Sequence, residues 1–195
     1  MQSLMKQETM ERLRPVFSYL DRQGREEKPI VISIDGRCAS GKTTMAQVLS
    51  EELGVGIIHM DDFFLPVELR TLERLSIPGG NVHYERFREE VLPKLSGRRD
   101  FSYRRFDCGN MEFGEERHVK GGGLYIVEGA YSSQPVFGNY MSLKIFSDVG
   151  SELQLQRILE RGGEEVLQVF KERWIPLEEA YFAAYKLRET ADIVI

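Results

Sequence analysis

Gly36-Arg37-Cys38-Ala39-Ser40-Gly41-Lys42-Thr43 fits the pattern G-x-x-x-x-G-K-[ST], the arrangement with which a backbone wraps a chain of phosphates. The glycines let the chain bend so that successive N–H groups point inward at an anion. A helix opening at Lys42 would turn its positive end toward the same anion. Gly36, Cys38, Ala39, Ser40, Gly41, Lys42, Thr43 and Thr44 are therefore the candidate nucleotide contacts. Lys42 would reach the β- and γ-phosphates, and the Thr43 hydroxyl would ligate magnesium. A phosphate loop alone does not separate a kinase from a GTPase or a motor ATPase.

Two further groups of acids can act with this loop. Asp61-Asp62 follows the apolar run at 57–60, and Glu128 follows the one at 124–127. Both lie where a strand would end, on the rim that carries the phosphate loop in open α/β sheets. Adjacent residues of an extended segment point to opposite sides, so one of Asp61 and Asp62 is expected to face the phosphates. A carboxylate beside a buried strand is costly unless it meets a cation or donors, and magnesium offers a partner. Lys42, Thr43, Asp61 and Glu128 would then make a phosphoryl-transfer site, with Thr43, Asp61 and Glu128 around the metal. One carboxylate would accept the proton of an attacking hydroxyl.

These residues need a particular scaffold. Ile30-Val31-Ile32-Ser33-Ile34 reads as a strand buried on both faces, and Met45, Val48, Leu49 and Leu53 mark a helix that stops at Gly54. Apolar runs at 55–60, 124–127, 143–146 and 193–195 alternate with helical periodicity at 85–95, 151–160 and 177–187. That alternation predicts an α/β fold with a parallel sheet. Residues 1–28 predict a leading helix interrupted by Pro15, and 97–120, rich in Arg, Gly and aromatics, predicts a hairpin or an excursion over one face. At 195 residues the chain is expected to form a single domain spanning 1–195.

Composition narrows the partners. Hydrophobic residues make up 42% and the net charge is −5, which removes the attraction that non-specific nucleic-acid binding needs. Cys38 and Cys108 show no metal-ligand spacing, and no apolar run approaches the ~18 residues of a membrane span, so a cytoplasmic protein with two reduced thiols is expected. His59 and His118 likewise lack ligand spacing and read as packed or solvated, and Trp174 reads as a packing residue. Between Lys94 and Lys120, seven Lys/Arg against five Asp/Glu leave +2. That excess suits an acidic acceptor and equally a solvated hairpin of mixed charge.

Taken together, the motifs resemble those of the uridine kinase and phosphoribulokinase superfamily of P-loop kinases, over most of 29–195. The matching pieces are Ile34-Asp35-Gly36 with the phosphate loop, Met60-Asp61-Asp62-Phe63-Phe64, Val127-Glu128-Gly129, Gln156-Arg157-Ile158 with Glu160-Arg161-Gly162, and Ala191-Asp192-Ile193-Val194-Ile195. The resemblance implies the three-layer P-loop NTPase fold with a five-stranded parallel sheet, a short lid at 157–173, and use of ATP and Mg2+. It implies that Asp61 is the catalytic base, that Lys42, Arg157 and Arg161 act on the transferring phosphoryl group, and that Glu128 lies at the metal. Arg157 and Arg161 share a helix face, where pairing with nearby glutamates is the other reading.

The acceptor side departs from the family pattern. Val82-His83-Tyr84-Glu85 stands where nucleoside kinases carry Asp-His-Pro-Asp, and Phe106-Asp107 is followed by Cys108-Gly109-Asn110-Met111 instead of a base-contacting histidine. Candidate acceptor contacts are His83, Tyr84, Arg86, Arg105, Asp107 and Tyr131, the last either walling the acceptor pocket or packing in the core. The expected function is an ATP- and magnesium-dependent transfer of phosphate to a hydroxyl of a small metabolite, uridine kinase-like. The alternatives are a nucleotide-binding regulatory module and a kinase for a pantothenate-like, sugar or vitamin acceptor. A homo-oligomer is compatible with the sequence, and the absence of N-K-x-D disfavours GTP.

Overall fold

A computed structural model of the chain describes residues 2–23 and 28–195. Helices α1 (Gln2–Arg12) and α2 (Arg14–Gln23) lead into strand β1 (Ile30–Gly36), helix α3 (Lys42–Leu53) and strand β2 (Gly56–His59). Short helices α4 (Leu72–Ser76), α5 (Tyr84–Glu90) and α6 (Leu92–Leu95) precede the strands β3 (Phe101–Asp107) and β4 (Glu112–Val119). Then come β5 (Leu124–Glu128), β6 (Leu143–Ser147), the long helix α7 (Ser151–Val169), α8 (Ile175–Tyr185), α9 (Leu187–Thr190) and β7 (Ile193–Val194). The central sheet has the order β2-β5-β1-β6-β7, and every pairing in it is parallel.

Alternation along β1 explains both faces of this sheet. Ile32 and Ile34 point to one side and pack with Met45 and Leu49 of α3 and Leu13 and Val16 of the leading segment. Val31 points to the other side, into a core built around Phe63, Phe87, Tyr125 and Tyr181. The same parity puts Asp35 on Val31's side, and it puts Glu128, two residues past Ile126, on the side of α3. Because Ile34 is registered with Glu128, Gly36 with Ser147, and His59 with Glu128, the C-terminal strand ends form one rim.

Three expectations change in detail. The leading helix is two helices that break at Leu13, and Pro15 sits in the first turn of α2, where a missing N–H costs nothing; residues 1 and 24–27 of that expectation lie outside the described residues. The helix expected at 85–95 is split at Val91, one residue before the Leu92-Pro93 start of α6. Helix α7 runs on past 160, turns at Gly163 (φ 76°, ψ −175°), and passes through a π-helical turn at Phe170–Trp174 into α8. The expected excursion at 97–120 is an antiparallel hairpin of β3 and β4, anchored by buried Tyr103 and Val119. Among the described residues no helix is long and apolar enough to cross a membrane.

Candidate active site

The phosphate loop leaves β1 at Gly36 and enters α3 at Lys42. Ala39 (φ 59°) and Gly41 (φ 100°) adopt left-handed backbone, the alternation that curls successive N–H groups into an anion-binding concavity. The Lys42 ammonium is folded back into the loop and donates to the carbonyls of Gly36 and Arg37, both at 2.8 Å. Below the loop, buried Asp35 accepts the N–H groups of Gly36 (2.7 Å), Tyr131 (3.2 Å) and Ser133 (2.9 Å) and the Tyr181 hydroxyl (2.8 Å). Burial pushes the Asp35 carboxyl pKa up against these donors. One side chain thereby ties the phosphate loop to the turn after β5.

Met60–Phe63 is a 3-10 turn and not the extended segment expected, yet it still separates its two acids. Asp62 turns inward, is 4% exposed, accepts the Tyr103 hydroxyl at 2.8 Å and faces Arg105 and Arg117 at 3.6 and 3.4 Å. It holds the hairpin. Asp61 turns to the cleft instead. Although its side chain stays exposed to the open cleft, partial desolvation there, followed by the neighbouring Glu128 carboxylate, raises its pKa, while Lys42 opposes the rise. Glu128 accepts the Thr43 hydroxyl at 3.3 Å on one oxygen and meets His59 Nδ1 at 2.6 Å on the other. The hydrogen bond to Glu128 raises the His59 pKa.

The opposite wall comes from α7 and α8. Arg157 donates to the Ala39 carbonyl at 3.0 Å, and Gln154 donates to the carbonyl and thiol of Cys38 at 3.2 and 3.1 Å. Arg161 lies over the Phe170 ring at 5.6 Å. Glu178, on α8, accepts the Cys38 N–H at 2.9 Å, so a phosphate-loop amide is engaged by a carboxylate of the chain itself. The cleft between these walls has a volume of about 470 Å³. Lys42, Thr43, Asp61, Glu128, Tyr131, Arg157 and Arg161 all line it, with Phe64, Trp174 and Glu178.

The remaining expected acceptor contacts lie off the cleft. Arg86 is buried, donates to the carbonyls of Asp62 (3.0 Å) and Arg104 (2.6 Å), pairs with Glu90 and stacks on Phe63. Its Nη2 joins the 60–63 turn to the hairpin, and the residue does not line the cleft where an acceptor contact was expected. Tyr84 carries Arg74 over its ring at 3.6 Å, Arg105 faces Asp62, and Asp107 accepts the Gly109 N–H at 2.8 Å. Burial lowers the pKa of His83, whose Nδ1 is enclosed. Sequence reasoning missed Glu178, His59 and Asp35 as site residues. For Glu178 a signal existed: it continues the helical face of Trp174 and Tyr181, an acid inside an apolar stripe.

Thr43, Asp61 and Glu128 supply hard oxygen donors on one wall, the set that suits Mg2+. Among the described residues no group of three His, Cys, Asp or Glu side chains could hold a metal alone. Such an ion fits here because magnesium commonly takes one or two carboxylates and completes its shell with phosphate and water.

Cys38 lies inside the loop, and its thiol is pushed up to about 12, first by burial and then by Glu178. It is therefore a protonated, shielded thiol at neutral pH. Native protein treated with iodoacetamide is expected to take one label per chain, at exposed Cys108, with Cys38 labelled only after denaturation. Peptide mass spectrometry reads the result, and rapid native labelling of Cys38 would contradict this account.

No protein-family profile matches the sequence. A cytidylate kinase of Chlorobaculum tepidum is 43% identical over 47 residues, which is 24% of this chain and 20% of that relative's length. Among solved structures, one described as a possible uridine kinase from Bacillus stearothermophilus superposes with TM-score 0.66 at 19% identity, over 94% of this chain and 98% of that one. The D-glycerate 3-kinase of Cryptococcus neoformans superposes with TM-score 0.61 at 16% identity, over 90% and 88%. Likeness of this extent at so low an identity identifies the architecture: the chain has the fold of the P-loop kinases.

Proposed function

We propose that this protein is a phosphotransferase that moves the γ-phosphoryl group of ATP, with Mg2+, to a hydroxyl of a small molecule. The observation that carries this reading is the convergence of Lys42, Thr43, Asp61, Glu128 and Arg157 on one cleft from four separate segments of chain. In this reading the phosphate-loop amides and Lys42 hold the phosphates, Lys42 exchanging its two loop carbonyls for phosphate oxygens. Thr43, Asp61 and Glu128 would hold Mg2+, which when bound neutralises phosphate charge. Asp61 orients the acceptor hydroxyl and takes its proton. Arg157 and Arg161 stabilise charge on the phosphoryl group, and the lid side of the cleft excludes water.

The named acceptors of the superposed proteins differ, a nucleoside in one case and a hydroxy acid in the other. They supply the transfer chemistry to this reading and leave the acceptor to the site itself. The test is phosphate accounting on the purified chain with ATP and Mg2+ against a panel of small hydroxylated compounds. Acceptor-dependent ADP release with a phosphorylated product is expected. Nucleotide binding with no acceptor stimulating ADP release would overturn the reading in favour of a regulatory module.

A further inference from the structure

A buried polar group without a partner stands at this cleft, and its chemistry specifies what would satisfy it. Tyr131 is 2% exposed and borders the cleft, and its hydroxyl has no hydrogen-bond partner. Asn81, 7% exposed, stands behind it outside the cleft lining and faces the Tyr131 oxygen as a donor, so the proton of the Tyr131 hydroxyl is what remains unmet. Leaving buried donors unmet is costly, so such groups in a cleft point to a ligand oxygen that completes them. Tyr131 is moreover held in a strained conformation. Its φ is 74°, its N–H is taken by Asp35 at 3.2 Å, and its ring packs on Tyr181 at 4.8 Å. Left-handed backbone at a bulky residue persists where the surroundings over-determine it, and such residues cluster at ligand clamps.

The carboxylates of Glu178 and Asp61 both act electrostatically on the Tyr131 hydroxyl. The acceptor end therefore presents one proton donor, Tyr131, among two proton acceptors, Asp61 and Glu178. A lone hydroxyl has one proton and leaves one of the two carboxylates unserved. Two adjacent hydroxyls, each able to give and to receive one hydrogen bond, satisfy all three. The rings of Phe64 and Trp174, 5.6 Å apart, add an apolar wall against which the C–H face of a polyol can lie. At about 470 Å³ the cleft is at the smaller end for small-molecule sites, and it must also admit the terminal phosphates, which limits the acceptor to a compact one.

Resting on the phosphotransferase reading, we propose that the acceptor is a compact vicinal diol, a short polyol or a monosaccharide, selected by Tyr131. One hydroxyl gives its proton to Asp61 and its oxygen forms the new bond to phosphorus, while the bond from phosphorus to the leaving oxygen of ADP breaks. The adjacent hydroxyl accepts from Tyr131 and donates to Glu178.

The experiment measures ADP release and phosphorylated product for glycerol and ribose. Propane-1,3-diol, the counterpart of glycerol that lacks the adjacent hydroxyl, is measured in parallel, together with uridine. The expected result is a diol preferred over its counterpart by about tenfold or more in kcat/KM. Tyr131→Phe keeps the ring and removes one hydrogen bond. It should raise KM for the diol about 3- to 10-fold with kcat little changed, and it should shrink the preference over the deoxy counterpart. Its thermal midpoint should equal or exceed the native one, which separates loss of recognition from loss of fold. Equal use of compounds with and without the adjacent hydroxyl, a preference for uridine over ribose and glycerol, or an unchanged KM in Tyr131→Phe would overturn the diol proposal alone. No stimulation by any acceptor in the wider panel would sink the phosphotransferase reading and this proposal with it.

Discussion

Asp61→Asn is expected to bind metal-free ATP as tightly as the native chain while its phosphoryl transfer with Mg2+ falls about 10²–10⁴-fold. The asparagine preserves the shape of the side chain and its ability to orient a hydroxyl, and it removes the group that can take a proton. In the proposed reading, affinity for metal-free nucleotide rests on the loop amides and Lys42, none of which bonds to Asp61 in this structure. Folding should not suffer, because Asp61 stands near the Glu128 and Asp62 carboxylates and its neutral replacement relieves that repulsion. Calorimetric titration with metal-free ATP and a single-turnover assay would separate the two effects. Near-native turnover in Asp61→Asn would remove this residue from the role of base, and a lost affinity for ATP would place it among the phosphate contacts instead.

Gly36→Ala is expected to be the most destabilising single-methyl change in the loop. At φ 130° a side chain is already strained, and an added Cβ would lie 2.1 Å from the Ser147 carbonyl oxygen and 2.7 Å from its nitrogen. Those atoms belong to β6, which is registered against Gly36 in the parallel ladder, so they cannot rotate away as a side chain would. Strain and overpacking together should cost about 3–5 kcal/mol, a drop of roughly 6–20 °C in Tm for a chain of this size. Gly122→Ala is the control. Its φ of 140° imposes a comparable backbone penalty, with nothing within 4 Å of the new carbon. Thermal melts of both variants, with and without ATP, would measure the difference, and equal midpoints would show that contact with β6 contributes nothing.

Much of the scaffold could be read without coordinates because its signals are local. The phosphate loop is eight contiguous residues whose glycines and following helix carry their own geometry, and the structure supplies the left-handed turns at Ala39 and Gly41 that this chemistry requires. The apolar runs at 124–127 and 143–146 are buried strands, as their composition indicates, and the parallel sheet follows from helices intervening between them. The excursion at 97–120 was legible as such from its break in periodicity. The break of the leading segment at Leu13 was read two residues late, since Pro15 marks the start of a helix as readily as its interruption.

The acceptor end was not legible in the same way. Arg86 and Asp62 look like available charges in a sequence, but packing commits one to backbone carbonyls and the other to Tyr103, and the hairpin they fasten is 18 to 41 residues away along the chain. Glu178 reaches Cys38 across 140 residues and Tyr181 reaches Asp35 across 146, distances over which no spacing rule operates. Sequence by itself determined which segment would wrap phosphate and which strand ends would carry acids, because backbone torsion and side-chain alternation are properties of neighbouring residues. Only the tertiary structure decided which acids face the cleft and which polar groups are left there without partners. Those outcomes depend on what each side chain loses in solvent and gains from a segment far along the chain.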